Sequence, residues 1–279
     1  MMIWTKDSNA VKRGILFLLS ALALTTAKAQ SDSLWPDKTT TRVTMMGLGR
    51  TETLDTYLSP EKYRGTEISY LSHTTFERDN RRLSRQIIHR GIFSSARNRA
   101  ENARELYAMY RFGYAWHYNW SLCQQKLTLK VGAMLNAHVG TLYNARNANN
   151  PMQAKISTDI AASVVASYRF SIRNQPFAVR YETEIPLIGL MFSPNYGQSY
   201  YEIFSKGHYD HNILPTYLGN APSLGQMLTL DCSVGNTTWR IGYWGDYRQA
   251  AVNRLKYHTY SHALVIGFVK KFKLINLRP

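Results

Sequence analysis

Apolar and polar residues alternate along several long stretches of the chain. In the stretch 127–140, LTLKVGAMLNAHVG, every odd position is apolar and the even positions are mostly polar or small. A period of two residues is typical of a β-strand that separates two different environments, and it does not fit the spacing of a helix. The same alternation predicts strands at 106–120, 156–170, 177–187, 224–234, 237–247 and 260–272.

The length of these strands indicates where they lie. They run to roughly 11–15 residues, whereas strands of soluble sandwiches are usually about 5–6 residues long. Strands that cross a membrane need about 9–11 residues, with an apolar outer face and aromatic girdles at both interfaces. The aromatic run Tyr114, Trp116, Tyr118 and Trp120 lies on one face and suits such a girdle.

Three less regular strands complete the prediction. They lie at about 41–49, 65–77 and 83–93, and the two faces of the last one are ambiguous. The sequence therefore predicts an all-β fold, a single antiparallel transmembrane β-barrel of ten strands over residues 30–279. An even count agrees with bacterial barrels, and twelve strands remain an alternative.

The predicted connections alternate between short and long, as periplasmic turns and outer loops do. The longer connections are 50–64, 94–105, 141–155, 188–222 and 248–257, and the short ones are 78–82, 121–125, 171–175 and 235–236. Both ends of the chain are then expected on the periplasmic side.

The N-terminus predicts export. Basic residues precede the apolar run GILFLLSALAL (14–24), and Ala27 and Ala29 form an A-x-A cleavage site. These features predict a signal peptide over residues 1–29, with a short N-terminal anchor as the alternative. The residue directly after the cleavage site is not a cysteine, so an acylated lipoprotein of the usual bacterial kind is not expected. We expect the mature chain in the outer membrane.

Charge points to an anionic partner. Residues 1–29 hold four basic and one acidic residue, so their removal changes the net charge from +16 to +13. Because an exported chain meets little nucleic acid, the expected anionic partner is outer-membrane lipid or glycolipid. The two cysteines, Cys123 and Cys232, do not make a disulfide framework.

Three stretches carry a family resemblance. LDTYLSPEKYRGTEISYLSHT (54–74), FSPNYGQSYYEIF (192–204) and GYWGDYRQAAVNRLKYHTYSHALVIGFVKKF (242–272) resemble an uncharacterised family of outer-membrane proteins of Bacteroidetes, known only as a domain of unknown function. The resemblance implies an outer-membrane location and no known activity. The last strand also resembles a barrel-assembly signal, with Gly267 and Phe272 at the expected spacing, which implies the barrel-assembly machinery as a partner. Lys270 and the seven residues after Phe272 depart from that signal.

Candidate chemistry is sparse. In HTYSH (258–262), Ser261 lies on the opposite strand face from His258 and His262, so a catalytic Ser–His pair needs a neighbouring strand. HYDH (208–211) offers metal-ligand types but suits a polar loop tip, and Glu182 and Glu184 lie beside Arg180, which favours an ion-pair network. We assign no catalytic residue, cofactor or metal. A non-enzymatic structural or binding role is expected, and a membrane-embedded lipid or peptide hydrolase is the alternative.

Two outer segments supply candidate ligand-binding residues. Tyr196, Tyr200 and Tyr201 suit stacking on a sugar or peptide, unless their loop plugs the barrel mouth. Arg97, Arg99 and Arg104 suit the phosphates of an outer-leaflet glycolipid, unless they are simply solvated.

The inward strand faces predict a closed bore. They carry six basic and six acidic residues: Arg111, Lys130, Arg169, Arg180, Arg240, Arg248, Glu67, Asp159, Glu182, Glu184, Asp231 and Asp246. A selective pore has a ring of like charge, whereas a balanced interior can form ion pairs across the bore.

Overall fold

The computed structural model describes residues 38–78, 81–148, 150–235 and 237–273. The signal peptide predicted at 1–29 lies outside these residues. The described chain forms β1 (Lys38–Asp55), β2 (Ser59–Arg78), β3 (Leu83–Asn98), β4 (Arg104–Leu122), β5 (Leu127–Asn144), β6 (Met152–Ile172), β7 (Gln175–Phe192), α1 (Tyr200–Phe204), β8 (Ile213–Tyr217), β9 (Leu224–Val234), β10 (Thr237–Val252) and β11 (Leu255–Lys273). Among the described residues, no helix has the combined length and apolar character that a membrane span requires.

Ten of the strands close into one antiparallel barrel, as the sequence predicts. Strands β1 to β7 pair in chain order, β9 follows β7, and β11 returns to pair with β1. The short strand β8 pairs with the end of β7 inside the predicted connection 188–222. We call the rim near Lys38 and Lys273 the terminal rim and the opposite rim, which carries residues 193–223, the loop rim.

The register of the pairs defines the barrel geometry. A path of directly paired residues starts at Val139 on β5, goes once around the barrel and returns to β5 at Leu127, twelve residues away. The path passes through Tyr110, Gly91, Tyr70, Met46, Ile266, Ile241, Leu230, Val179 and Tyr168. Such a stagger means that the strands tilt against the barrel axis, which typical membrane barrels do by about 35–45°.

The two faces of each strand meet different surroundings. On β5, Lys130 and His138 point inward and are buried, while Leu135 and Val139 point outward and are exposed. The outward apolar positions form a belt around the barrel that includes Met46, Leu48, Ile68, Phe93, Val131, Leu135, Ile160, Ile185, Leu228, Ile241, Leu264 and Ile266. The four aromatic residues that predict a girdle form two ring pairs on β4, Tyr114 edge-to-face with Trp116 and Tyr118 tilted against Trp120.

The strands extend further than the sequence predicts. Strands β1 and β2 continue through the predicted loop 50–64 and leave only 56–58 between them, and the predicted loop 248–257 shrinks to 253–254. The predicted alternation of connection lengths is therefore wrong at these positions. The reason is that outward residues above the belt, such as Glu52 and Arg64, are charged, so the apolar signal ends while backbone pairing continues.

Two-residue turns join the tightest hairpins. Arg173 and Asn174 both have positive φ, and so do Asn253 and Arg254. Positive φ at both central residues gives a turn whose twist matches that of the flanking strands. Because asparagine adopts this conformation more easily than most residues, one asparagine in each turn lowers its strain.

The bore is packed with side chains of mixed character. A buried apolar cluster joins inward residues of eight strands, and Met45, Leu71, Met227 and Trp244 within it are almost fully buried. Buried polar residues lie between such clusters on the same inward faces, including Thr51, Ser69, Gln86 and Thr229. Because the bore is filled, the candidate functional residues are its charged side chains and the exposed residues at the loop rim.

An outward charge in the middle of the belt should destabilise the barrel. Ile266 is exposed and lies level with Met46 and Ile241 on the neighbouring strands. We expect Ile266→Arg to lower the free energy of unfolding in lipid vesicles by about 2–4 kcal/mol, the usual cost of arginine at a bilayer midplane. His258→Arg, on the same face near the loop rim and beside Glu52, should cost less than about 1 kcal/mol. Equal effects in denaturant titrations of the two variants would contradict the position of the belt.

Candidate functional site

The centre of the bore holds a cluster of paired charges from six strands. One oxygen of Glu184 on β7 accepts hydrogen bonds from Arg90 at 2.8 Å, Arg111 at 2.8 Å and Arg248 at 2.6 Å. Asp246 accepts from Arg111 at 2.6 Å and from Arg248 at 2.9 Å. His138 beside Asp159 continues the cluster at 2.8 Å. The cluster ties β3, β4, β5, β6, β7 and β10 together across the bore.

A second set of ion pairs lies toward the terminal rim. Arg180 pairs with Glu182 at 2.6 Å, and Arg240 donates to the two oxygens of Asp231, from Nε at 2.5 Å and from Nη2 at 2.7 Å. Lys130 on β5 pairs with Glu77 on β2 across the bore. The ion pairing predicted for Glu182 and Glu184 is thus confirmed. Because both carboxylates bind arginines, they do not form a free pair for acid–base catalysis.

Two of the twelve predicted inward charges behave differently. Glu67 is buried but accepts a hydrogen bond of 2.5 Å from Ser261 instead of forming an ion pair. Arg169 is exposed near the terminal rim. The prediction also missed Arg90, because both faces of β3 carry basic residues and the alternation there gives no direction. It also missed Glu77, which ends the predicted strand 65–77 on the same face as Glu67.

A Ser–His contact exists, but between strands that sequence reasoning could not bring together. His117 Nε2 on β4 lies 2.9 Å from Ser163 Oγ on β6, and both side chains are buried in the bore. A hydrolytic pair needs a third group to orient the histidine, and among the described residues nothing bonds His117 Nδ1. In HTYSH, Ser261 points inward and His262 outward, as predicted; His262 Nδ1 lies 2.6 Å from the Tyr243 hydroxyl.

Residues 193–212 form a cap over the bore at the loop rim. The Tyr57 hydroxyl donates to the Gln198 carbonyl at 2.9 Å, and the Ala154 amide donates to the Tyr200 hydroxyl at 2.7 Å. The Asn253 side chain donates to the Ser193 carbonyl at 3.1 Å. Burial raises the pKa of Tyr57 above its usual value and raises the pKa of Tyr200 to about 12. Both phenols therefore stay protonated, and three separate parts of the rim hold the cap.

Helix α1 fixes the shape of the cap. Ser199 and Glu202 form a capping box at its start, and Ile203 is fully buried beneath it. Tyr200 stacks on Phe204, and Phe192 on β7 packs against both rings. These contacts place Tyr200 among the residues that hold the cap.

The other two candidate tyrosines of the cap point away from the bore. Tyr196 is 73% exposed and Tyr201 is 65% exposed, and the Lys206 ammonium lies 5.5 Å from the centre of the Tyr201 ring. In HYDH, His211 pairs with Asp210 at an exposed tip. Among the described residues, no three His, Cys, Asp or Glu side chains converge as metal ligands.

The space beneath the cap is small. It has a volume of about 80 Å³ and is lined by residues that include Tyr107, Lys155, Asp159, Tyr257 and Arg248. A volume of this size holds a few water molecules, whereas small-molecule pockets are usually about 300–1,000 Å³. The space beneath the cap is therefore smaller than a usual small-molecule pocket.

The three candidate arginines lie on the outside of the wall at the loop rim. Arg97 is near the end of β3 and Arg104 starts β4, so only Arg99 lies in the turn 99–103. The predicted bounds of the loop, 94–105, are therefore wrong. As at 50–64, the outward residues are charged here, so the apolar signal ends before the backbone pairing does. All three arginines are exposed, and they alternate with buried inward residues such as Ala96 and Glu105.

Removing the charge of Glu184 should destabilise the barrel. Glu184→Gln would leave Arg90, Arg111 and Arg248 with one carboxylate fewer among them, and breaking a buried pair costs about 3–5 kcal/mol. We expect that loss in the free energy of unfolding, measured by denaturant titration in vesicles. Glu52→Gln removes an outward partner of Lys62 and Arg64 and should cost less than about 1 kcal/mol. A small effect at Glu184 would show that the cluster does not hold the barrel together.

Comparison with known proteins gives a fold likeness and a family. No curated protein sequence matches the chain. Similar solved structures include the outer membrane protease OmpT from Escherichia coli (6% identity, 85% of this chain and 97% of that chain, TM-score 0.47). They also include the transport unit of the autotransporter AIDA-I from Escherichia coli (8% identity, 95% of this chain and 99% of that chain, TM-score 0.42). At such low scores these structures say nothing about activity. Residues 15–279 match the family described as protein of unknown function DUF3316, and the chain belongs to that family.

Proposed function

We propose that this chain is an outer-membrane β-barrel with a closed bore, which acts through what binds at its outer surface and not by passing solutes. The loop rim would face the cell exterior and the terminal rim the periplasm. The observation that carries the proposal is the cluster in which Glu184 binds three arginines across the bore. A source in Bacteroidetes would follow from the sequence resemblance.

The exterior supports the membrane location. A closed barrel leaves no unpaired strand edge in hydrocarbon, and the outward apolar belt with its ring pairs suits a bilayer core and its interface. Charged side chains at the loop rim, such as Glu52 and Arg64, lie outside that belt on the same strand faces. Insertion by the barrel-assembly machinery would follow from this location.

The interior supports the closed bore. Ten strands lie near the eight at which side chains fill a barrel, and far from the sixteen or so of water-filled porins. Here the bore holds apolar clusters, ion pairs of both signs and a cap pinned at the loop rim. A solute would have to break several buried ion pairs to pass.

A hydrolase is the second candidate, and one contact favours it. Ser163 and His117 are within hydrogen-bond distance. The pair lies in the packed bore, away from the lipid-facing surface, so a lipid or peptide could reach it only if the bore opened. A surface role fits the exposed parts of the molecule better, and the rings of Tyr196 and Tyr201 would contribute to it by stacking on a glycan or peptide.

The closed bore is tested by conductance. Protein purified from the outer-membrane fraction and inserted into a planar bilayer should show no stable steps of porin size. The combined variant Arg90→Ala, Arg111→Ala and Glu184→Ala removes the centre of the cluster and, if it folds, should show a leak. Stable porin-sized conductance from the unmodified protein, or its absence from the outer-membrane fraction, would contradict the proposal.

A further inference from the structure

We propose that a row of outward-facing arginines at the loop rim binds the phosphate groups of an outer-leaflet glycolipid. This inference deepens the proposed surface role and rests on the outer-membrane location. The row, which we call the arginine ladder, consists of Arg64 on β2, Arg97 on β3 and Arg104 on β4, with Arg99 in the adjoining turn.

The strand register places the ladder side chains directly opposite one another. Arg64 pairs with Arg97 across β2 and β3, and Arg97 pairs with Arg104 across β3 and β4. Side chains directly opposite in an antiparallel pair have Cβ atoms about 4.5–5.5 Å apart, and like charges there repel. Three guanidinium groups in such a row need anionic partners to offset that repulsion.

The inside of the same wall shows what such a pair requires. Arg90 and Arg111 are also directly opposite each other on β3 and β4. There Glu184 bridges them, 2.8 Å from each. Outside, Arg97 and Arg104 share no carboxylate among the described residues, and only Arg97 has a long contact of 3.8 Å with Glu101.

The ion pairs around the ladder show which of its arginines lack a close carboxylate. Glu52 binds Arg64 at 2.6 Å and Lys62 at 3.0 Å, which satisfies the β1–β2 side of the row. Neither Arg99 nor Arg104 forms an ion pair with any side chain in the described ranges. The Arg97–Glu101 contact is exposed on both sides, at 54% and 76%, and exposed contacts of this kind are weak. The positive charge available to a ligand therefore belongs to Arg97, Arg99 and Arg104.

The ladder lines a shallow depression on the outer wall. Five cationic side chains and two carboxylates line it, together with the Thr66 and Ser95 side chains below the arginines. One of the two carboxylates, Glu61, already accepts a hydrogen bond of 2.6 Å from Asn98. Guanidinium forks match phosphate oxygens in pairs, and hydroxyls can donate to the same oxygens.

The position of the ladder favours a lipid over a free phosphate ion. Two positions further toward the membrane from Thr66 and Ser95, the same strand faces carry Ile68 on β2 and Phe93 on β3, and Tyr70 follows two positions beyond Ile68; all three are exposed. Arg64 and Arg97 lie four residues from Ile68 and Phe93, which is about 13 Å along the strand at roughly 3.3–3.4 Å per residue. The tilt of the strands reduces this to about 10 Å along the barrel axis. An amphiphile that places its phosphates on the ladder can therefore lay its acyl chains against the belt below.

The experiment compares three probes on the folded barrel in nanodiscs of zwitterionic phospholipid. The probes are bis-phosphorylated lipid A, the same lipid after phosphatase treatment, and inorganic phosphate. The test variant is Arg97→Ala, Arg99→Ala and Arg104→Ala together. The control variant removes three outward cations near the terminal rim, on β1, β3 and β11: Arg42→Ala, Arg85→Ala and Lys270→Ala. Binding is measured by native mass spectrometry, and folding of each variant is checked by heat-modified mobility on gels.

We expect phosphorylated lipid A to bind the wild type and the control within about twofold of each other, and the test variant about tenfold or more weakly. Replacement of the same three arginines with lysine should give intermediate affinity, because the charge stays and the fork is lost. Equal binding of the dephosphorylated lipid, equal loss in the control, or inorganic phosphate binding as tight as the lipid would each overturn the proposal. A conducting bore would overturn the proposed closed bore and leave this result unaffected.

Discussion

In the proposed outer-membrane barrel, backbone hydrogen bonding in hydrocarbon is the constraint on which the structure depends. No water is available in a bilayer core, so each amide and carbonyl of a membrane-spanning strand needs a partner within the protein. The pairing of β1 with β11 supplies the last of these partners, and the twelve-residue stagger lets the tilted strands meet. Once the sheet is closed, each strand has one face toward lipid and one toward the bore. The period of two in the sequence follows from that division.

Closing a ten-stranded sheet creates a second problem, which is the content of the bore. A narrow interior excludes most water, so a charge there needs a partner of opposite sign. The solution is a shared one: Glu184 serves Arg90, Arg111 and Arg248, and Asp246 serves two of the same arginines. Because these residues come from different strands, their pairing also fixes the strands relative to each other. The same wall carries an arginine row on its outside that has fewer partners, and this asymmetry directs attention to an external ligand.

The sequence predicted what depends on the two faces and missed what depends on contacts between distant strands. The ten strands, the outward Leu135 and the inward Lys130 follow from local alternation, because lipid and bore impose opposite demands on neighbouring residues. Strand ends were not predictable in the same way, since above the belt both faces of β1 and β2 are polar. The contact of His117 with Ser163 joins β4 and β6, and no pattern within either strand indicates it.

The placement of the candidate binding residues shows the same limit. Arg97, Arg99 and Arg104 were visible as a basic segment, but their relation to Arg64 depends on the register of β2 with β3. Tyr200 could be grouped with Tyr196 and Tyr201 by sequence alone, whereas the structure separates a ring that holds the cap from two exposed rings. Local patterns thus suggested which residue types matter, and the register decided which of them act together.

Thiol labelling at two adjacent positions of β5 tests the two-faced closed barrel most directly. In a background with Cys123→Ser and Cys232→Ser, Met134→Cys would lie in the packed bore and Leu135→Cys on the lipid-facing surface. The account predicts that a membrane-soluble maleimide labels position 135 of the barrel in vesicles, and that a water-soluble thiol reagent leaves position 134 unlabelled until the protein is unfolded. Rapid labelling of position 134 by the water-soluble reagent in the folded barrel would contradict the account, because it would show a bore open to water.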